Sequence, residues 1–171
     1  MPHDQDHWGE IDSTLHRGMV ARAADSDAEE LFKAGLFLLK RDKVREALSA
    51  FKRALNIKGN EPKYMSYTGL CLALAEGKTR ESVVLCEKAV SMEFYRSELF
   101  LNLGRVYIVM GNKKKAHMAF RKGMALDRDN RSLRVELEKM GYRKPPVFPF
   151  LDRQHPINMV AGKVLYRLRL R

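Results

Sequence analysis

Apolar positions recur at intervals of three and four through the middle of the chain, the spacing of one helix face. In Val44-Arg45-Glu46-Ala47-Leu48-Ser49-Ala50-Phe51-Lys52-Arg53-Ala54-Leu55 the period is plain, and it predicts an amphipathic helix. A longer period lies over it. Gly35, Gly69 and Gly104 are spaced by 34 and 35 residues, as are Leu31, Met65 and Phe100, and Leu38, Leu72 and Tyr107. Ala47, Ser82 and Ala116 are spaced by 35 and 34, as are Phe51, Cys86 and Phe120, and Ala54, Ala89 and Gly123. All six columns hold one register with a single one-residue insertion, which the pattern places near Gly77–Arg80. A glycine or alanine lets two helices approach closely, and large residues fill the grooves beside the contact.

Local signals mark the helix ends. Ser26-Asp27-Ala28-Glu29 reads as a capping box that opens the first helix. Pro62, after Gly59-Asn60, suits a first helical turn. Gly111-Asn112 separates the two helices of the last hairpin. Asp129-Asn130 caps a seventh helix running to about Met140, which Gly141 ends.

These columns resemble the tetratricopeptide repeat family of 34-residue helix hairpins. The resemblance covers residues 28–130. Two family positions depart: the early tryptophan is replaced by Leu31, Met65 and Phe100, and the late proline by Gly59, Phe94 and Arg128. The resemblance implies an all-α fold, a right-handed superhelical solenoid of three hairpins over 28–61, 62–96 and 97–130. A capping helix over 131–141 and a basic proline-containing tail over 142–171 follow. Residues 1–27 are expected to be a polar acidic segment, partly disordered, with a short helix possible over 11–23 through Ile11, Leu15 and Met19.

The resemblance also implies a concave groove lined by the first helix of each hairpin. On that mapping the partner-binding residues are Phe32, Leu36, Leu39, Lys40, Tyr67, Leu70, Leu74, Leu101, Asn102, Arg105 and Ile108. Some family members hold a partner's terminal carboxylate with lysine, asparagine and arginine. The matching positions here carry Phe32, Leu36 and Tyr67, and only Asn102 fits, so a carboxylate clamp is not expected. A largely apolar groove suits an amphipathic helix or an extended hydrophobic peptide.

Charge changes the picture at the ends. The 171 residues carry a formal net charge of +11. Residues 1–27 hold two basic and six acidic groups, 28–130 hold twenty and twelve, and 142–171 hold seven and one. The tail reads Arg143-Lys144-Pro145-Pro146-Val147-Phe148-Pro149-Phe150-Leu151 and is too apolar for a plain solvated linker. Phe148, Phe150 and Leu151 are expected to pack on the last repeats, in the groove or on a partner. The closing residues from Pro156 fit either a basic amphipathic helix or, over 166–171, an alternating strand. A short terminal helix on the solenoid is the preferred reading, since Gly162 weakens a helix by ~1 kcal/mol.

Chemistry is sparse. His3, Asp4, Asp6 and His7 sit in a terminal segment that nothing preorganises for a metal. Lys113-Lys114-Lys115 lacks the interleaved aromatics of a nucleic-acid surface. His16, His117 and His155 have no nucleophile in register, and Cys71 and Cys86 read as buried thiols of one hairpin. No catalytic residue, cofactor or metal is expected. The function expected is a non-enzymatic adaptor, co-chaperone or assembly factor of bacterial and cytoplasmic type, whose partner is a protein or peptide. A type III secretion-like chaperone is a sharper variant. An anchor using the basic tail at a membrane or acidic surface is the alternative, and nucleic acid is not an expected partner.

Overall fold

The computed structural model describes residues 5–141, 147–148 and 155–167, with side chains from Arg22 onward apart from Gly162 and Tyr166. The described residues are helical, without a strand, and form two compact units, one up to Met140 and one from Gly141.

The first unit contains α1 (Gln5–Lys40), α2 (Val44–Ile57), α3 (Pro62–Glu76), α4 (Thr79–Met92), α5 (Ser97–Val109), α6 (Lys113–Leu126) and α7 (Arg131–Lys139). Consecutive helices pair as hairpins α1–α2, α3–α4 and α5–α6, each stacked on the next, with α7 against α6. The glycine column sits where the hairpins close. A Cβ on Gly35 would lie 2.5 Å from the Phe51 ring, on Gly69 2.7 Å from Cys86 Sγ, and on Gly104 2.2 Å from the Phe120 ring. Each first helix thus gives up a side chain so that the second helix can insert its large residue. Phe51, Cys86 and Phe120 are fully buried as a result.

The hairpin turns repeat as well. Asp42, Gly77 and Gly111 all take left-handed backbone, with φ of 61°, 67° and 79°. After α1 and α5 the turn is a Schellman motif: Lys43 N–H donates to Leu38 O and Asn112 N–H to Tyr107 O. After α3 a single bond from Gly77 N–H to Ala73 O replaces it. The extra residue of the second repeat therefore lies before Gly77, at the end of α3, and not in the Gly77–Arg80 stretch where the sequence pattern put it. Swapping one capping motif for another absorbs it without shifting the columns.

Pro62 opens α3, and Asn112 and Asn130 cap α6 and α7 by accepting from Lys115 N–H and Leu133 N–H at 3.1 and 3.2 Å. Gly141, at φ 80°, stops the helix after α7. Leu133 of α7 is fully buried against α6, which closes the core at that end.

The N-terminal expectation needs correction. Ser26-Asp27-Ala28-Glu29 lies inside α1 rather than at its start, and residues 5–27 continue the same helix. A capping side chain acts only where the preceding backbone leaves the helix. Val20-Ala21-Arg22-Ala23-Ala24 is rich in good helix formers, and extending a formed helix costs far less than nucleating one.

The second unit contains α8 (Pro156–Arg167) and the short stretch Val147–Phe148. The closing segment is therefore helical through Arg167. The Asn158 side chain grips the Phe148 backbone at both ends: its Oδ1 accepts from Phe148 N–H at 2.8 Å and its Nδ2 donates to Phe148 O at 3.1 Å. Of the three tail residues expected to make contacts, Phe148 packs within this unit, while Phe150 and Leu151 lie outside the described residues.

Candidate functional site

The first helices of the three hairpins, α1, α3 and α5, present corresponding residues along one face. Going along each helix, the columns are Glu29, Lys63 and Glu98; Phe32, Ser66 and Leu101; Leu36, Leu70 and Arg105; Leu39, Ala73 and Ile108; and Lys40, Leu74 and Val109. The structure divides this face into three zones of different character.

The charged zone consists of bridges from these helices to their neighbours along the solenoid, with Glu29, Lys63 and Glu98 as its outer column. Lys63 Nζ sits 2.8 Å from Glu29 Oε2, and Tyr64 OH donates to the same oxygen at 3.0 Å. The hydrogen bond from Lys63 holds the Glu29 carboxyl below its ordinary range. Tyr67 OH donates to Glu98, and burial followed by this bond pushes the Tyr67 phenol well above its usual pKa. Arg105 Nε donates to Glu136 Oε1 of α7 at 2.9 Å.

The middle zone is closed. Phe32 meets Tyr64 at 4.8 Å and both Phe51 and Tyr67 at 5.4 Å between ring centroids, so the first column of large residues is an aromatic cluster rather than an open surface. Phe32, Leu70, Leu101 and Asn102 are all buried. Asn102, 1% exposed, donates to Ser66 Oγ at 3.1 Å, while Ser66 O accepts from Cys86 Sγ at 3.4 Å. Asn102 thus ties α3 to α5 and is not displayed to solvent.

The third zone, toward the helix ends, is open and apolar. Leu74 is 48% exposed, and Ile108 and Val109 are each 41% exposed. Lys40 is exposed beside them, and Leu36 and Leu39 are half-buried. Of the eleven residues assigned to the groove from sequence, Lys40, Leu74 and Ile108 are exposed, and Leu36, Leu39, Tyr67 and Arg105 are half-buried. Sequence reasoning missed the bridging role of Glu29, Lys63, Glu98 and Glu136. A signal was present: Glu29 and Lys63 occupy one column, 34 residues apart, with opposite charge.

No group of three or more His, Cys, Asp or Glu side chains placed to hold a metal occurs among the described residues. Both thiols are free, and burial pushes Cys71 and Cys86 up to about 12. Such thiols stay protonated at neutral pH and are poor nucleophiles.

Residues 97–130 match the family model for the tetratricopeptide repeat. A curated relative, the TPR repeat-containing thioredoxin TTL4 of Arabidopsis thaliana, is 31% identical over 96 residues. The match covers 56% of this chain and 14% of the relative, so the chain spans a small part of that protein's length. Among solved structures, the Sgt2 TPR domain from Aspergillus fumigatus superposes with a TM-score of 0.58 at 20% identity, covering 77% of this chain and 93% of that one. The first TPR of Spaghetti (RPAP3), bound to the HSP90 peptide SRMEEVD, superposes with a TM-score of 0.56 at 16% identity, covering 68% and 91%. With its glycine-closed hairpins, its repeated left-handed turns and these likenesses, the chain has the tetratricopeptide-repeat fold, and its residues 97–130 match that repeat.

Proposed function

We propose that the protein is a non-enzymatic adaptor that holds the apolar side of a helix, or an extended hydrophobic peptide, against the exposed ends of α3 and α5. The observation that carries this reading is the exposed ridge of Leu74, Ile108 and Val109 on the repeat face, with Lys40 alongside and paired charges at the far end. Large aliphatic side chains gathered at one edge of a rigid surface supply the desolvated centre of an interface, and the charged margin supplies register.

The peptide class differs from that of the RPAP3 neighbour. SRMEEVD ends in an acidic run and a terminal carboxylate. Here the outer column offers Glu29, already paired with Lys63, and Glu98, which accepts from Tyr67. A further carboxylate would meet like charge, so an acidic C-terminus is disfavoured. The high-pKa thiols support a binding role over a nucleophilic one.

The test is affinity capture with the full chain and two variants. Leu74→Glu with Ile108→Glu places carboxylates in the ridge and should abolish capture of the specific partner. Val84→Glu with Met118→Glu, at exposed positions of α4 and α6, should leave capture unchanged. Retained capture by the first variant, or loss only with the second, overturns the reading. Calorimetry with SRMEEVD should show no specific binding.

A further inference from the structure

The second unit carries an open apolar cleft of about 680 Å3, lined by Val147, Phe148, Ile157, Val160, Val164 and Leu165. Val160 is 61% exposed, and Ile157 and Val164 are also exposed. These three side chains follow at i, i+3 and i+7, which makes one stripe along α8. The opposite side of the cleft is Phe148, fastened by the two hydrogen bonds to Asn158. The cleft is therefore a built feature, with a wall held by a buried amide.

Cations border the stripe. Lys163 follows Val160 by three residues and Arg167 follows Val164 by three, so each is the neighbour of an apolar side chain on the same helical surface. Both are exposed, and no acidic residue occurs in α8. From Gly141 onward the sequence holds Arg143, Lys144, Arg153, Lys163, Arg167, Arg169 and Arg171 against Asp152, a net charge of +6. Long cationic side chains beside an apolar stripe can lay their stems on it while their heads reach outward.

We infer that α8 and its Phe148 wall form an anionic-lipid docking element, lying in the headgroup boundary of a membrane with the Ile157–Val160–Val164 stripe turned toward the acyl chains. A bilayer bearing anionic headgroups offers a negative plane directly above an apolar phase, which matches a cation-edged apolar stripe on a helix only twelve residues long. The repeats are a poorer match for this element on charge, since residues 28–130 are themselves basic, with twenty basic against twelve acidic groups. The inference stands apart from the adaptor reading, because it uses no residue of the repeat face.

Flotation of the full chain with phosphatidylcholine vesicles, with and without 30% phosphatidylglycerol as the chosen anionic lipid, tests it. The wild-type chain should float with the anionic vesicles, weakly or not at all with the neutral ones, and less as salt rises. Lys163→Gln with Arg167→Gln should weaken binding roughly 30-fold, at about five-fold for each cation near an anionic surface. Val160→Ser with Val164→Ser should weaken it at least about ten-fold by removing apolar insertion. Circular dichroism of each variant should show unchanged helix content. Leu74→Glu with Ile108→Glu should float as the wild type does, so a failed groove and a failed anchor are told apart. Absent flotation, equal binding to neutral vesicles, or indifference to the valine substitutions overturns the inference. Binding to poly-glutamate or duplex DNA as tight as to anionic vesicles, unaffected by the valine changes, also overturns it in favour of a purely charged surface.

Discussion

Gly104→Ala pits two known effects against each other. Alanine is favoured over glycine inside a helix by ~1 kcal/mol, so local propensity alone makes the change stabilising. Packing opposes it. A Cβ at this position would lie 2.2, 2.4 and 2.8 Å from Cε1, Cδ1 and Cζ of Phe120. That ring is fully buried between α5, α6 and their neighbours and has no solvent to swing into. Overpacking a tight core typically costs about 1–3 kcal/mol, and contacts this short belong at or above the upper end. The expected net effect is a loss of about 2 kcal/mol. Urea unfolding followed by far-ultraviolet circular dichroism measures it as a lower midpoint. Phe120→Leu removes ring atoms and should cost about 1–2 kcal/mol alone, yet the double variant should be more stable than additivity allows by at least ~1 kcal/mol. A Gly104→Ala chain more stable than the wild type would refute the close-approach account of the glycine column.

Thr68 is buried, and its hydroxyl finds no hydrogen-bond partner among the described residues. Thr68→Val should therefore raise unfolding stability by about 1 kcal/mol, and a clear loss would mean the hydroxyl is satisfied. Asp42 holds the left-handed turn that Gly77 and Gly111 hold in the other hairpins. Asp42→Gly relieves backbone strain at some cost in unfolded-state entropy, so a gain of about 0.5 kcal/mol is expected in the same assay. The thiols should be silent to Ellman's reagent in the folded chain at pH 8 and react at the unfolding rate. Their proton-bound form is favoured by folding. The stability they contribute is thus complete below the unfolded thiol value of ~8.5 and is lost as pH rises toward the folded value of about 12. Replacing both cysteines by alanine should flatten that alkaline decline.

The fold was legible wherever a tertiary contact left a mark in every repeat. Gly35, Gly69 and Gly104 recur because each must admit Phe51, Cys86 or Phe120. Asp42 belongs to an equally regular column but hides in it, since aspartate tolerates the backbone that glycine prefers. Ser26-Asp27 is a local signal that does not mark the start of α1, because helix continuation depends on the residues before it. On the repeat face, periodicity identified the side but not its depth. Leu70, Leu101 and Asn102 point to that side and are nonetheless covered by adjoining helices and by the Asn102–Ser66 hydrogen bond. The Asn158 grip on Phe148 had no sequence signal at all, because one amide closing on one peptide unit makes no pattern.

Hydrogen–deuterium exchange on the full chain, alone and with its captured partner, tests the adaptor account most directly. New protection is expected at the ends of α3 and α5, around residues 70–76 and 104–110, with α4 and α6 unchanged on their outer faces. Protection confined to α4 and α6, or to residues beyond Gly141, would contradict it.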